Sequence, residues 1–329
     1  MPSPSTLLNV TLLVIAVVTL LAIAAFAVLT ARIAQRVESD VPPLGTFIEV
    51  DGQRLHYRDS GASDAPAIVL LHGASAHLRD LEATLAPTLG TRFRTLSFDR
   101  PGSGWSAPVA DAAGEPAHQA TLIADALAAL GIDRAVWVGH SWGGAVVLAA
   151  AIERPDALSG AVLLAAPTAP IDGPAMPWPI RLAALPLIGE AFGRTLVTPL
   201  GLRALPDLLR DSFKPESAPE PIERYATSIG APLSIVPDRF VATARDLVGL
   251  SPALSRLAPR LDGISLPLLL IYGEDDPLMS VDRHARPLAA RATQAELLVL
   301  SDAGHLIHHT RTDEVVAAID RFAMARTGD

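Results

Sequence analysis

Val136-Trp137-Val138-Gly139-His140-Ser141-Trp142-Gly143-Gly144 is an apolar strand that breaks into small residues around one serine and resumes as the small-residue run Ala145 to Ala151. The G-x-S-x-G spacing has a mechanical purpose. Gly139 and Gly143 leave room for a tight strand-to-helix turn that holds Ser141 in a strained backbone with its hydroxyl exposed. Gly144 lets the following helix approach the sheet closely, and the N-terminal dipole of that helix favours negative charge beside Ser141. An ordinary turn serine can match so short a pattern; the setting, after a strand and before a helix, makes it a nucleophile elbow.

Outward from the elbow, strand and helix alternate almost throughout. Thr46 to Val50 and Gln53 to Asp59 form a hairpin joined at Asp51-Gly52, a two-residue turn signal. Ala67 to Leu71 is a continuous apolar run of the kind a strand covered on both faces shows. A helix over Leu78 to Leu89, a strand over Phe93 to Phe98 and a helix over His118 to Leu130 lead to the elbow strand. Beyond it lie strands at Val162 to Ala166, Leu266 to Tyr272 and Ala295 to Leu300, and an amphipathic helix at Glu314 to Met324. The alternation predicts an α/β fold with a mainly parallel sheet and helices on both faces. One segment, 168–262, breaks the rhythm: it is rich in proline and apolar residues, as in Leu202-Arg203-Ala204-Leu205-Pro206, and shows no strand pattern. It predicts several short helices punctuated by prolines, inserted between two strands as a cap over the site. The apolar side chains of that cap, among them Met176, Trp178, Leu185, Phe192 and Phe213, predict a hydrophobic acyl pocket beneath it.

The chain of 329 residues divides on this reading into an N-terminal segment (1–40), a core in two parts (41–167 and 263–329) and the inserted cap. A net charge of −9 and the lack of any Lys/Arg cluster exclude a nucleic-acid partner. With no cysteine, disulfides, thiolate metal sites and a cysteine nucleophile are excluded, while the compartment stays undecided. No metal-ligand cluster and no phosphate-cradling glycine loop stands out, so neither metal nor cofactor is expected.

The first thirty residues differ from all that follows. Leu7 to Leu29 carries no charge and is about the length that crosses a bilayer as a helix, which predicts a membrane anchor. The rival is a cleaved signal peptide with Ala25-Phe26-Ala27 at its end, but no Lys or Arg precedes Leu7. Arg32 and Arg36 follow the apolar run, and by the positive-inside rule they put the rest of the chain in the cytoplasm. Val41 to Gly45, with Pro42 and Pro43, makes a short stiff linker.

A serine needs a base to take its proton, and the base needs a third group to fix its tautomer. Ile271-Tyr272-Gly273-Glu274-Asp275-Asp276-Pro277 puts carboxylates just past one strand, and Asp302-Ala303-Gly304-His305 puts a histidine just past the next. Loops after parallel strands emerge on one edge of the sheet, so the three groups can meet.

With these residues in view the chain resembles the α/β-hydrolase fold superfamily from Thr46 to its C-terminus, apart from the cap. The resemblance rests on Leu71-His72-Gly73-Ala74-Ser75, the Asp99 to Ser106 loop, the elbow, and the acid and histidine loops, in that order. It implies Ser141 as nucleophile, Asp276 rather than Asp275 or Glu274 as the acid, and His305 rather than His308 or His309 as the base. His308 and His309, a turn later, are assigned a surface or packing role, and His72 and His140 a part in shaping backbone. It further implies an oxyanion hole of the Ala74 and Trp142 backbone N–H groups, with Ser75 as the alternative first donor. Epoxide hydrolases and haloalkane dehalogenases of this superfamily carry aspartate where this chain has Ser141, so hydrolysis of an ester or related acyl compound, small and lipophilic, is the activity implied. Carbon-carbon bond hydrolases, lactonases and cofactor-free haloperoxidases share the serine triad, and a binding protein that kept the fold without turnover is the competing class.

Overall fold

The computed structural model describes residues 3–109, 115–171 and 176–326. Eight strands form one sheet in the order β1 (Thr46–Val50), β2 (Gln53–Ser60), β4 (Arg94–Phe98), β3 (Ala67–Leu71), β5 (Ala135–His140), β6 (Leu158–Leu164), β7 (Leu268–Gly273), β8 (Ala295–Leu300). β1, β2 and β4 pair antiparallel, and every pair from β4 through β3 to β8 is parallel.

The apolar runs do what period-2 packing demands of a strand covered on both sides. Val69, Leu71, Trp137, Leu163 and Leu270 face one core, together with the helices Pro116–Ala129 and Trp142–Glu153. Ile68, Leu70, Val138, Leu164 and Ile271 face the other, under the C-terminal helix Thr312–Met324. Chain order reverses at β3, whose neighbours are β4 and β5. Open α/β sheets bind ligands at the carboxyl ends of the strands beside such a switch point. The loops that leave β3 at His72 and β5 at Ser141 are therefore the ones that meet there.

Several expected elements differ in detail. The helix expected over Leu78 to Leu89 is two single turns, Arg79–Glu82 and Ala86–Leu89, because Pro87 has no N–H to continue the first and sits in the opening turn of the second. β6 stops at Leu164 because Ala165 takes a positive φ.

The described residues between β6 and β7 form helices and no strand, but the prolines do not end every helix. Thr198–Ser212 contains Pro206, and Pro237–Leu257 runs through Pro252. Pro252 lies on the exposed side, where the carbonyl it deprives of a partner can reach water.

The N-terminal helix is one piece from Pro4 to Asp40 and ends at Val41, just before Pro42-Pro43. It is long and apolar enough to cross a membrane by length and composition. At 1.5 Å per residue it runs to about 55 Å, against about 30 Å of bilayer hydrocarbon. Its last turns pack on the inserted segment: Ala34, Val37 and Val41 join Leu233 and Val236 in one cluster. Thr30 Oγ1 donates to the Thr195 carbonyl at 2.6 Å, and Arg239 pairs with Glu38. The expected short stiff linker is part of this joint. The Trp105 indole donates to the Val41 carbonyl at 3.0 Å, and Arg79 donates to that of Pro42 at 2.8 Å.

Candidate active site

Ser141 sits between β5 and its helix at φ 50° and ψ −121°, a conformation an L-residue holds only when its surroundings over-determine it. Its N–H donates to the Leu164 carbonyl at 2.8 Å, and its own carbonyl accepts from the Gly144 N–H at 2.8 Å. The flanking glycines are steric necessities. A Cβ on Gly143 would strike the Leu71 and His72 carbonyls, and one on Gly139 would strike the backbone of Gly143.

The structure brings Ser141, His305 and Asp276 together. His305 Nε2 lies 3.0 Å from Ser141 Oγ, and His305 Nδ1 lies 2.7 Å from Asp276 Oδ2. An imidazole that donates its Nδ1–H to a carboxylate presents an unprotonated Nε2 to a hydroxyl. The other oxygen of Asp276 accepts from the amides of Leu278 at 2.7 Å and Met279 at 2.9 Å. Burial pushes the Asp276 carboxyl up, but the His305 hydrogen bond, the His305 charge and the two amides outweigh it and hold the group below its ordinary value. Glu274 and Asp275 are exposed, as their position past the strand end implies.

Ala74, Ser75 and Trp142 line the same cavity as Ser141 and His305. Neither the Ala74 nor the Trp142 amide has an intramolecular partner among the described residues, and Trp142 opens a helix, whose first N–H groups are left unpaired by geometry. Behind this wall lies a buried ion pair that the sequence did not disclose. Arg100 bonds Asp246 at 2.8 Å, donates to the carbonyls of His72 at 3.0 Å and Gly73 at 3.1 Å, and stacks 4.3 Å from the Trp142 ring centroid. Trp142 Nε1 donates in turn to the Asp246 carbonyl at 3.1 Å. One guanidinium thus ties the Gly73 loop and the elbow tryptophan to the Pro237–Leu257 helix. The only hint was an arginine directly after Asp99, a residue whose own part is structural. Fully buried Asp99 accepts from the amides of Leu78 and Trp105 and from His56 Nδ1, each at 2.7 Å.

His308 and His309 are not on the surface. His308 Nε2 and His309 Nε2 reach the two oxygens of Asp80 at 3.0 and 2.7 Å, and the Tyr225 hydroxyl lies 3.2 Å from His309 Nε2. The His308 ring packs 4.2 Å from that of His140, whose Nε2 donates to the His305 carbonyl at 3.1 Å. Burial, then the charges of His308 and His305, holds His140 well below the usual imidazole value, so the ring stays neutral and its one N–H, on Nε2, keeps the His305 backbone in place. Among the described residues, Asp80, His308 and His309 are the group whose donor spacing suits a metal ion. Each carboxylate oxygen of Asp80 accepts from an imidazole, while His308 Nδ1 is buried without a hydrogen-bond partner among the described residues.

The cavity over Ser141 measures about 370 Å³. Its apolar wall comes from the inserted segment and the loops beneath it, through Met176, Leu209, Ile229, Leu247, Leu250 and Leu306. Of the five side chains expected there, only Met176 is part of it. Trp178 and Leu185 face outward at 68% and 45% exposure, and Phe213 is buried against Tyr225 in a separate cluster.

Strand order, elbow and the three converging loops define an α/β hydrolase. The family model for the alpha/beta hydrolase fold matches residues 66–312, and the chain belongs to that family and is a hydrolytic enzyme. It is 28% identical over 279 residues to haloalkane dehalogenase 2 of Mycobacterium tuberculosis, covering 82% of this chain and 91% of that protein. Among solved structures it is similar to an enol-lactonase from Burkholderia xenovorans LB400, at 25% identity and a TM-score of 0.69, over 84% of this chain and all but 1% of that one. A bacterial membrane phospholipase A matches in fold at a TM-score of 0.65 and 20% identity, over 99% of this chain and 100% of that one.

Proposed function

We propose that the protein is a membrane-anchored serine hydrolase that cleaves a lipophilic carboxylic ester through an acyl-enzyme. The observation that carries this reading is the Ser141 to His305 to Asp276 relay, at 3.0 and 2.7 Å, with Ser141 in strained backbone at the switch point. As Ser141 Oγ attacks the carbonyl carbon, its proton passes to His305 Nε2, and Asp276 stabilises the imidazolium that forms. The amides of Trp142 and Ala74, or Ser75, receive the developing oxyanion, and the N-terminus of the Trp142–Glu153 helix adds its dipole. His305 then protonates the leaving alkoxide. In the second half-reaction it takes a proton from water, which attacks the acyl carbon and frees Ser141.

The dehalogenase relative does not carry its activity across. Displacing halide from a saturated carbon through an alkyl-enzyme needs a carboxylate that water can later cleave, and the elbow here offers a hydroxyl. The likeness to an enol-lactonase favours a second reading within the same chemistry, a cyclic ester, for which water opens the acyl-enzyme without release of an alcohol.

The segment 168–262 acts on this reading as a lid, and the helix Pro4–Asp40 as an uncleaved anchor, with Arg32 and Arg36 placing the domain on the cytoplasmic side. A fluorophosphonate probe tests the chemistry: it should label Ser141 in the native chain and leave Ser141→Ala unlabelled. p-Nitrophenyl esters of increasing chain length should then give a rising kcat/KM. Absence of labelling in a folded chain would favour a binding protein.

A further inference from the structure

Four of the most exposed apolar side chains of the inserted segment lie in or beside the helical run that packs on the N-terminal helix, and Leu208, 57% exposed, lies farther along that run. Leu187 is 79% exposed, Trp178 68%, Leu200 57% and Ile188 56%. Leu187 also takes φ +62°, and the Ile188 N–H donates across it to the Pro186 carbonyl at 2.6 Å, which makes a γ-turn with a leucine at its strained centre. The chain thus bears backbone strain and solvent exposure of a large apolar group at one residue. Such a position is retained where the side chain has an apolar destination.

The N-terminal helix indicates that destination. Its packed face is the stripe Thr30, Ala34, Val37 and Val41, with Ala27 half-buried one turn earlier, spaced as one side of a helix, so the joint reaches the end of the apolar stretch Leu7 to Leu29. Ile188 to Ser212 is a continuous helical run with a π-turn at Gly193–Val197. Thr198 Oγ1 binds the Ile235 carbonyl at 2.9 Å, beside the Val37 and Val41 end of the joint, whereas the Thr195 carbonyl meets Thr30. Followed back from Thr198, the run therefore moves towards the apolar stretch, and at 1.5 Å per residue Ile188 lies about 10 Å beyond Thr195. The Trp178 ring packs on Phe192 of that run at 6.0 Å. Arg181 and Arg194 lie exposed around it and Arg32 and Arg36 exposed on the helix, cations of the kind that pair with lipid phosphates.

We propose that the tip of the inserted segment, carried by Trp178, Leu187, Ile188 and Leu200, is immersed in the interfacial layer of a phospholipid bilayer beside the anchor helix, and that substrate enters the Ser141 cavity from the lipid. Met176 lines the cavity and Trp178, two residues on, faces out, so one short stretch connects the two environments. This rests on the anchor reading of the helix. It adds that the catalytic domain, and not the helix alone, touches lipid.

The full-length chain is reconstituted in phosphatidylcholine and phosphatidylglycerol vesicles whose acyl chains are brominated either near the headgroup or at their ends. Trp178 fluorescence is taken as the difference from Trp178→Phe. Quenching by the headgroup-proximal bromines is expected. Leu187→Glu with Ile188→Glu should lower turnover of a vesicle-embedded long-chain ester about tenfold and leave a dissolved short-chain ester unchanged. An unquenched Trp178 in a chain that resists carbonate extraction overturns the immersion alone, and a chain that carbonate releases overturns the anchor. The native chain has no cysteine, so Leu187→Cys gives a single thiol. Its efficient cross-linking between copies would assign the surface to a second subunit instead.

Discussion

At the scale of the residue, position decides chemistry more than identity does. Three acids follow β7, yet only Asp276 turns inward, receives two amides and reaches His305. Ser141→Ala, His305→Ala and Asp276→Asn should each lower kcat by about a thousandfold or more, and double variants should lose little beyond the worse single one, since the three act as a unit. Asp275→Asn should keep near-native rates; a collapse there would reassign the acid. Arg100 makes a different prediction. Its truncation to alanine removes the charge partner of the buried Asp246 carboxylate and frees the Gly73 loop, so denaturant midpoints should report a loss of about 3–5 kcal/mol. The meeting of Ser141, Asp276 and His305 was legible in the sequence because each lies at or within a few residues of the end of a strand read from its apolar pattern. Arg100 with Asp246, and Asp80 with His308 and His309, were not. Their partners are separated by well over a hundred residues, and no local pattern records who meets whom across the inserted segment.

At the scale of the element, β-strands announced themselves and the inserted helices did not. A strand buried on both faces has one solution, a continuous apolar run, and β3, the Ala135 to Val138 part of β5 and the Ala161 to Leu164 part of β6 have it. A helix with two unequal environments does not say which of its apolar faces meets the cavity and which the outside. That is why Trp178 and Leu185 were expected in the acyl pocket and lie outside it. The pocket depends on the Pro237–Leu257 helix, which supplies Leu247 and Leu250. Leu250→Trp should fill much of the cavity, cutting kcat/KM for medium-chain esters about tenfold or more while acetate esters change little. An equal loss for both would mean that the substitution disturbs the oxyanion wall and not the acyl site.

At the scale of the whole molecule, pH acts through histidines held neutral. His72 is pushed down to about 3 by burial and by Arg100, and His284 to about 4 by burial and by Arg283. His140 and His308 are also lowered, chiefly by burial. Unfolded imidazoles take up protons below about pH 6.5, whereas these do not until pH falls to their folded values. Between those limits the unfolded state binds more protons. Stability is therefore full above about pH 6.5 and falls as acid is added, by up to about 1.4 kcal/mol per pH unit for each such histidine. Asp276, whose carboxyl is depressed, adds a loss of the same sign only lower, as pH drops through the carboxylate range. Thermal melts should show Tm flat from neutral pH down to about 6.5 and then a steep decline. A Tm still level at pH 5 would mean that these rings are protonated in the folded chain. The same molecular view separates anchor from joint. A chain beginning at Thr30 loses the apolar span but keeps Ala34, Val37 and Val41 against Leu233 and Val236, whereas one beginning at Pro42 uncovers both. Both shortened chains should leave the membrane pellet, since neither retains Leu7 to Leu29. They should differ by roughly 3 kcal/mol, the burial of two valines and an alanine, with the longer one the more stable. Equal unfolding midpoints would show that the helix end, its Glu38 pair with Arg239 included, merely rests on the inserted segment and adds no stability to it.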